Sequence, residues 1–85
     1  MAISETIADP RVQDVVVTND SLTVTLRDGR RVSAPLSWFP RLEKATPEQR
    51  NARQFSAAGH GIHWPAIDED LSVEGLLRGQ PAPRL

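Results

Sequence analysis

The chain predicts a small α+β domain: an antiparallel β-meander of three to four strands packed against two short helices. Three observations lead there. Two polar turns, Asn19-Asp20 and Arg27-Asp28-Gly29, separate three apolar-alternating runs, Asp14–Thr18, Ser21–Leu26 and Arg30–Pro35. Two helix starts follow in the second half, at Thr46-Pro47-Glu48-Gln49 and at Asp70-Leu71-Ser72. The 85 residues suffice for one domain of modest stability, expected over 11–79 between an N-terminal arm (1–10) and a C-terminal tail (80–85).

Side-chain parity fixes the meander. Pairing Val17 with Leu22 across Asn19-Asp20 sets Val15 opposite Val24, so the apolar residues share a face. A two-residue hairpin loop suits Asn and Asp, which tolerate positive φ. At the second turn a two-residue loop would oppose Val24 to Ser33 and mix the faces. A three-residue loop instead pairs Leu26 with Arg30, Val24 with Val32 and Leu22 with Ala34. The expectation is a type I turn with a G1 bulge and Gly29 in the left-handed region. The wet face then carries Thr23, Thr25, Arg31 and Ser33, with Val16 its apolar exception.

Proline bounds the next segment, Pro35 to Leu42, at a single helical turn in which Trp38, Phe39 and Leu42 cover the sheet. Thr46 is the expected N-cap of a polar surface helix running from Pro47 to about Gln54, with Pro47 at N1 and Gln49 closing a capping box. Gly59-His60-Gly61 interrupts the chain. Ile62-His63-Trp64 then reads as a short strand ended by Pro65, adding to an edge of the meander. The last helix is expected over Val73–Arg78, capped by Ser72 or Asp70 and stopped at Gly79.

The apolar positions available for one core are Val12, Val15, Val17, Leu22, Val24, Leu26, Val32, Leu36, Trp38, Phe39, Leu42, Phe55, Ile62, Trp64, Ile67, Leu71, Leu76 and Leu77. With no cysteine, neither a disulfide framework nor thiolate chemistry is available. No stretch reaches transmembrane length, and the opening residues lack a basic start and an apolar run. No membrane association and a cytoplasmic location are expected. The net charge of −1 hides an uneven distribution: residues 27–53 carry seven basic and three acidic side chains, the remainder three basic and eight acidic.

Taken together, Leu22-x-Val24-x-Leu26-x-Asp28-Gly29, Leu36-x-x-Phe39-Pro40-x-Leu42 and Gly61-Ile62-His63-Trp64-Pro65-x-Ile67-Asp68-x-Asp70-Leu71-Ser72-Val73-x-x-Leu76-Leu77 occur in an order that resembles the bacterial family domain of unknown function 2442. The resemblance spans residues 11–79 and implies a small α+β domain without assigned catalytic residues. Some relatives carry the domain ahead of a helix-turn-helix. Stand-alone members resemble the partner half of two-gene, toxin–antitoxin-like modules with another small uncharacterised protein. After residue 79 too little chain follows for a helix-turn-helix, so operator binding through such a motif is not expected.

The chemistry-bearing residues have structural explanations. His60 and His63, three apart, share a face only on a helix, which Gly59, Gly61 and Pro65 oppose; no metal site is expected. Asp68-Glu69-Asp70 lies where carboxylates cap a helix and oppose its dipole, a simpler role than acid–base catalysis. No phosphate loop, dinucleotide fingerprint or nucleophile elbow is present, so neither an enzyme nor a cofactor is expected.

What remains is interaction. A non-catalytic module is expected to bind a protein, such as the product of an adjacent gene, through a strand edge, the face around Thr23, Thr25 and Arg31, or Trp64. A second copy of the chain is another candidate partner. The alternative is a nucleic-acid-associated regulator or sensor component, contacting phosphates through Arg27, Arg30 and Arg31.

Overall fold

A computed structural model describes residues 8–80. Most of the expected arm and tail, residues 1–7 and 81–85, lies outside the described residues. The fold is α+β, as the sequence predicts, and it contains two three-stranded antiparallel sheets rather than one.

The first sheet is the meander, ordered β1 (Val12–Val17), β2 (Ser21–Leu26) and β3 (Arg31–Pro35). Its register is the one parity demands: Val17 faces Leu22, Val15 faces Val24, Val24 faces Val32 and Leu22 faces Ala34. Gly29 has φ +94°, and the Leu26 amide donates to the Arg30 carbonyl at 2.8 Å, as expected for the bulged three-residue loop. The first turn forms differently. Neither Asn19 nor Asp20 adopts positive φ. Instead Thr18 Oγ1 accepts from the Asp20 and Ser21 amides at 3.2 and 3.0 Å, so a side chain closes the loop without left-handed backbone. β1 begins two residues earlier than expected and carries an irregularity between Val12 and Asp14.

After β3 a 3₁₀ turn, Leu36–Trp38, leads into α1 (Pro40–Glu43), which buries Leu36, Phe39 and Leu42. α2 (Pro47–Asn51) has the predicted capping box, with Thr46 Oγ1 accepting from the Gln49 amide and Gln49 Oε1 from the Thr46 amide. It ends at Asn51, short of Gln54, because Gln54–Ser56 is a strand. That strand, β4, was not anticipated.

β4, β5 (Gly61–Trp64) and β6 (Glu69–Ser72) form the second sheet, with β5 in the middle. The strand expected at Ile62–Trp64 therefore exists, but it does not extend the meander. Register aligns Phe55, Ile62 and Leu71 across one face, and Gln54, His63 and Asp70 across the other. α3 (Val73–Leu77) follows, with Ser72 Oγ accepting from the Gly75 amide and Gly79 at φ +75° beyond its end.

The inner faces of both sheets meet in one core, which holds Val12, Val15, Leu22, Val24 and Leu26 with Leu36, Phe39, Leu42, Ile62, Trp64, Leu71, Val73 and Leu76. Val73 and Ala34 belong to it without having been named from sequence. Phe55 and Leu77, expected inside, are exposed.

One supposed surface helix residue is internal. Arg50 is only 9 % exposed. Its Nε donates to the Leu42 carbonyl at 3.0 Å, one terminal nitrogen to the Glu43 carbonyl at 2.9 Å, and the other to Asn19 Oδ1 at 2.9 Å. Its own carbonyl accepts the Trp64 indole N–H at 3.0 Å. One residue thus joins the end of α1 and the first hairpin through its side chain, and the second sheet through its backbone carbonyl. Arg50→Ala is expected to cost roughly 2–4 kcal/mol in urea unfolding, because three acceptors lose their charged donor inside the fold. Arg50→Lys should recover little of this, since an ammonium cannot span the same three acceptors.

Glu69 is the other buried charge, 8 % exposed and paired in register with Trp64. Burial raises its pKa above the ordinary carboxylate value, against a smaller opposing effect from the Asp70 amide, which donates to Glu69 Oε1 at 3.1 Å. In the window above the unfolded carboxylate pKa the folded state then binds more protons than the unfolded chain, so stability falls as pH rises through it. Glu69→Gln is expected to raise the melting temperature at pH 7, with the gain shrinking toward about pH 4, in paired thermal melts.

Candidate functional site

The outward face of the meander is assembled by strand alternation. Register places Val16, Thr23 and Ser33 in one row and Asp14, Thr25 and Arg31 in the next. Thr23 and Ser33 hydroxyls share a hydrogen bond at 2.8 Å. Thr23 and Thr25, on the central strand, are half-buried by their neighbours, whereas Arg31 projects into solvent. Val16 stands among them 53 % exposed. Arg53, from the segment between α2 and β4, reaches this face and pairs with Asp14 Oδ1 at 3.0 Å. Three of the four residues expected to meet a protein partner, Thr23, Thr25 and Arg31, therefore form one contiguous surface.

Trp64 does not join it. Its strand is central rather than an edge, and its ring is 0 % exposed, with the indole N–H committed to the Arg50 carbonyl. A tryptophan before proline is here a core anchor. The exposed aromatic is Phe55, 46 % accessible on the short edge strand β4. Phe55 lines up with the buried Ile62 and Leu71, so it belongs to the inner face but is left uncovered at its margin. The sequence offered no signal for this, because three residues are too few to show alternation.

The arginine-bearing turn is less positive than its composition suggests. Arg30 folds back on Asp28, with Nε at 2.9 Å and a terminal nitrogen at 2.8 Å from Oδ2. Asp28 also accepts from the amides of Arg30 and Asp9, at 3.1 and 2.9 Å. Above all the Arg30 side chain lowers the Asp28 pKa, to about 2. Asp9 is held low in turn by Arg11, whose guanidinium forks onto both its oxygens at 2.9 and 2.8 Å. Arg27 is exposed beside this network, and Arg31 sits on the outward face instead.

His60 is exposed at the start of β5, while His63 Nδ1 lies 2.7 Å from Asp70 Oδ1, a pairing in which the ring nitrogen donates. The carboxylates at 68–70 do not cap a helix as expected. Glu69 and Asp70 lie in β6, and Asp68 takes a left-handed conformation, φ 51°, closing the 3₁₀ turn Pro65–Ile67. Among the described residues no group of three or more His, Cys, Asp or Glu is placed to hold a metal ion, and no helix is long and apolar enough to cross a membrane.

Comparison with known proteins agrees with this fold. The family described as protein of unknown function (DUF2442) matches residues 12–82. A crystal structure of a protein of unknown function from Rhodospirillum rubrum ATCC 11170 is 28 % identical, with a TM-score of 0.72, covering 87 % of this chain and 92 % of that one. A solution structure of an uncharacterised protein from Chromobacterium violaceum shares the fold at 24 % identity and a TM-score of 0.72, covering 86 % of this chain and 69 % of that one. None of the curated proteins matches.

The Asp28 network has a pH signature. A carboxylate whose pKa is depressed on folding stabilises the fold above its unfolded value, and that contribution disappears as pH falls toward 2. Asp28→Asn should therefore lower the melting temperature at pH 6, and parent and variant melts should converge near pH 2.

Proposed function

This chain belongs to the DUF2442 family of proteins of unknown function, and from that premise we propose that it is a non-catalytic protein-interaction module. The contact surface is the outward face of the meander around Thr23, Thr25 and Arg31. The observation that carries the reading is the state of that face: a three-stranded sheet presenting Val16, two threonines, Ser33 and the projecting Arg31 to solvent. Such a face gives a partner an apolar contact at Val16, hydroxyls for hydrogen bonds and the Arg31 charge beside the Asp14–Arg53 pair for orientation, on backbone already ordered by strand pairing.

The partner that the two-gene resemblance puts first is the product of the adjacent gene, with this chain as the antitoxin-like member of the pair. Contact with nucleic acid through Arg27, Arg30 and Arg31 has less support, because Arg30 spends its charge on Asp28.

Mixing the purified chain with its genomic neighbour's product should increase the particle size and raise the melting temperature. Replacing Thr25 with Lys and Arg31 with Glu together should weaken that complex at least tenfold by titration calorimetry. Because both side chains lie on a wet face, the variant's own urea midpoint should move little. An unchanged size and melting temperature on mixing would count against the reading.

A further inference from the structure

The free edge of β1 has a partner written into its own sequence. Hydrogen-bond phase shows which of its backbone groups are spoken for. The Thr18 amide donates to the Ser21 carbonyl at 2.9 Å. Alternation from that pair directs Val16 and Asp14 toward β2, and the amides and carbonyls of Val15 and Val17 away from it. Among the described residues no group hydrogen-bonds to those outward amides and carbonyls.

This edge has one guard, the charge of Asp14, and Arg53 pairs with it at 3.0 Å. β1 is six residues long, without proline, glycine or lysine. The opposite edge of the meander is protected: β3 turns Arg31, Ser33 and Pro35 outward by the same alternation, and Pro35 has no N–H to offer. β4, an edge of the second sheet, has only three residues.

We infer that β1 pairs antiparallel with β1 of a second copy of this chain, about a two-fold axis at Val16, so that two meanders join into a six-stranded sheet. Three features select this occupant and register. First, Val15 then faces the partner's Val17 and Val17 the partner's Val15, which satisfies every outward amide and carbonyl of both residues with four hydrogen bonds. Second, Val16 meets Val16 of the other copy as a non-hydrogen-bonded pair about 4.5 Å apart at Cα, covering the one apolar residue exposed on that face. Third, Asp14 falls opposite Thr18, which carries no charge. The neighbouring two-fold register, centred on Val15, sets Asp14 against Val16 and relies on Gln13, where β1 departs from regular pairing.

The interface uses the backbone edge of β1 and shares only Val16 with the face proposed above; the cysteine cross-links report the edge, and the Thr25 and Arg31 substitutions report the face. The two readings therefore fail separately.

Because the chain has no cysteine, single cysteines report the register directly. Val16→Cys in the full chain should oxidise to a covalent dimer, since residues opposite in a non-hydrogen-bonded pair lie within disulfide reach. Asp14→Cys alone should not, because its copies lie about 13 Å apart along the strands. A mixture of Asp14→Cys and Thr18→Cys chains should cross-link only as the heterodimer. In sedimentation equilibrium the parent chain should be dimeric, and Val16→Asp should raise the dimer dissociation constant at least tenfold, while urea midpoints measured at concentrations where both chains are monomeric stay nearly equal. A parent chain monomeric at millimolar concentration overturns the inference. So does cross-linking through residue 14 as fast as through residue 16.

Discussion

Arg50, through its guanidinium and its backbone carbonyl together, is the constraint on which the architecture turns. The meander by itself offers one apolar face, and two layers of strands need something to hold them at a fixed offset while that face is covered. Hydrophobic burial is non-directional and leaves such an offset loosely determined. Arg50 adds direction, because its planar fork ties α1 to the first hairpin through the Leu42 and Glu43 carbonyls and Asn19 Oδ1. Those carbonyls are at the end of α1, where that of Leu42 also accepts from the Ala45 amide at 3.1 Å. The same residue's carbonyl takes the Trp64 indole N–H, so the largest side chain of the core is oriented by the segment that orients the hairpin.

This explains which parts of the fold were legible in the sequence. The meander was, down to its register, because each turn admits one loop length that keeps Leu22, Val24 and Leu26 on a common face. The capping box at Thr46 and the cap at Ser72 were also legible, since they depend on neighbours within three residues. The second sheet was not. Gln54-Phe55-Ser56 is too short for periodicity, and Asp68-Glu69-Asp70 reads as a cap when its pairing with β5 is unseen. Arg50 was hidden for the same reason: on a polar helical turn, nothing local distinguishes a solvated arginine from one that reaches three acceptors.

The candidate surface shows the same division. Thr23, Thr25 and Arg31 followed from parity alone and do share a face. Trp64 required knowing whether its strand is central, which depends on β4 and β6, neither of which announces itself. Once both flank β5, the tryptophan goes inside, and the exposed apolar surface passes to Val16 and Phe55. Likewise the positive turn loses part of its charge to Asp28, an acid within two residues that composition counts but does not position.

Glu69 completes the argument, because it shows the cost of building a second sheet from so polar a segment. Strand alternation carries Leu71 to the inner face, and the same alternation carries residue 69 inward with it. The carboxylate is thereby drawn out of water beside Trp64, with the Asp70 amide as its hydrogen-bond donor. Burial of an unpaired charge opposes folding, and the raised pKa is its direct expression. The segment nevertheless stays paired, since Leu71 and the adjoining Val73 are buried on either side of Ser72 and the β5 ladder satisfies the backbone. Burial of those neighbours and strand pairing together outweigh one misplaced charge, so the second sheet is specified by its apolar anchors and tolerates the polar residues between them.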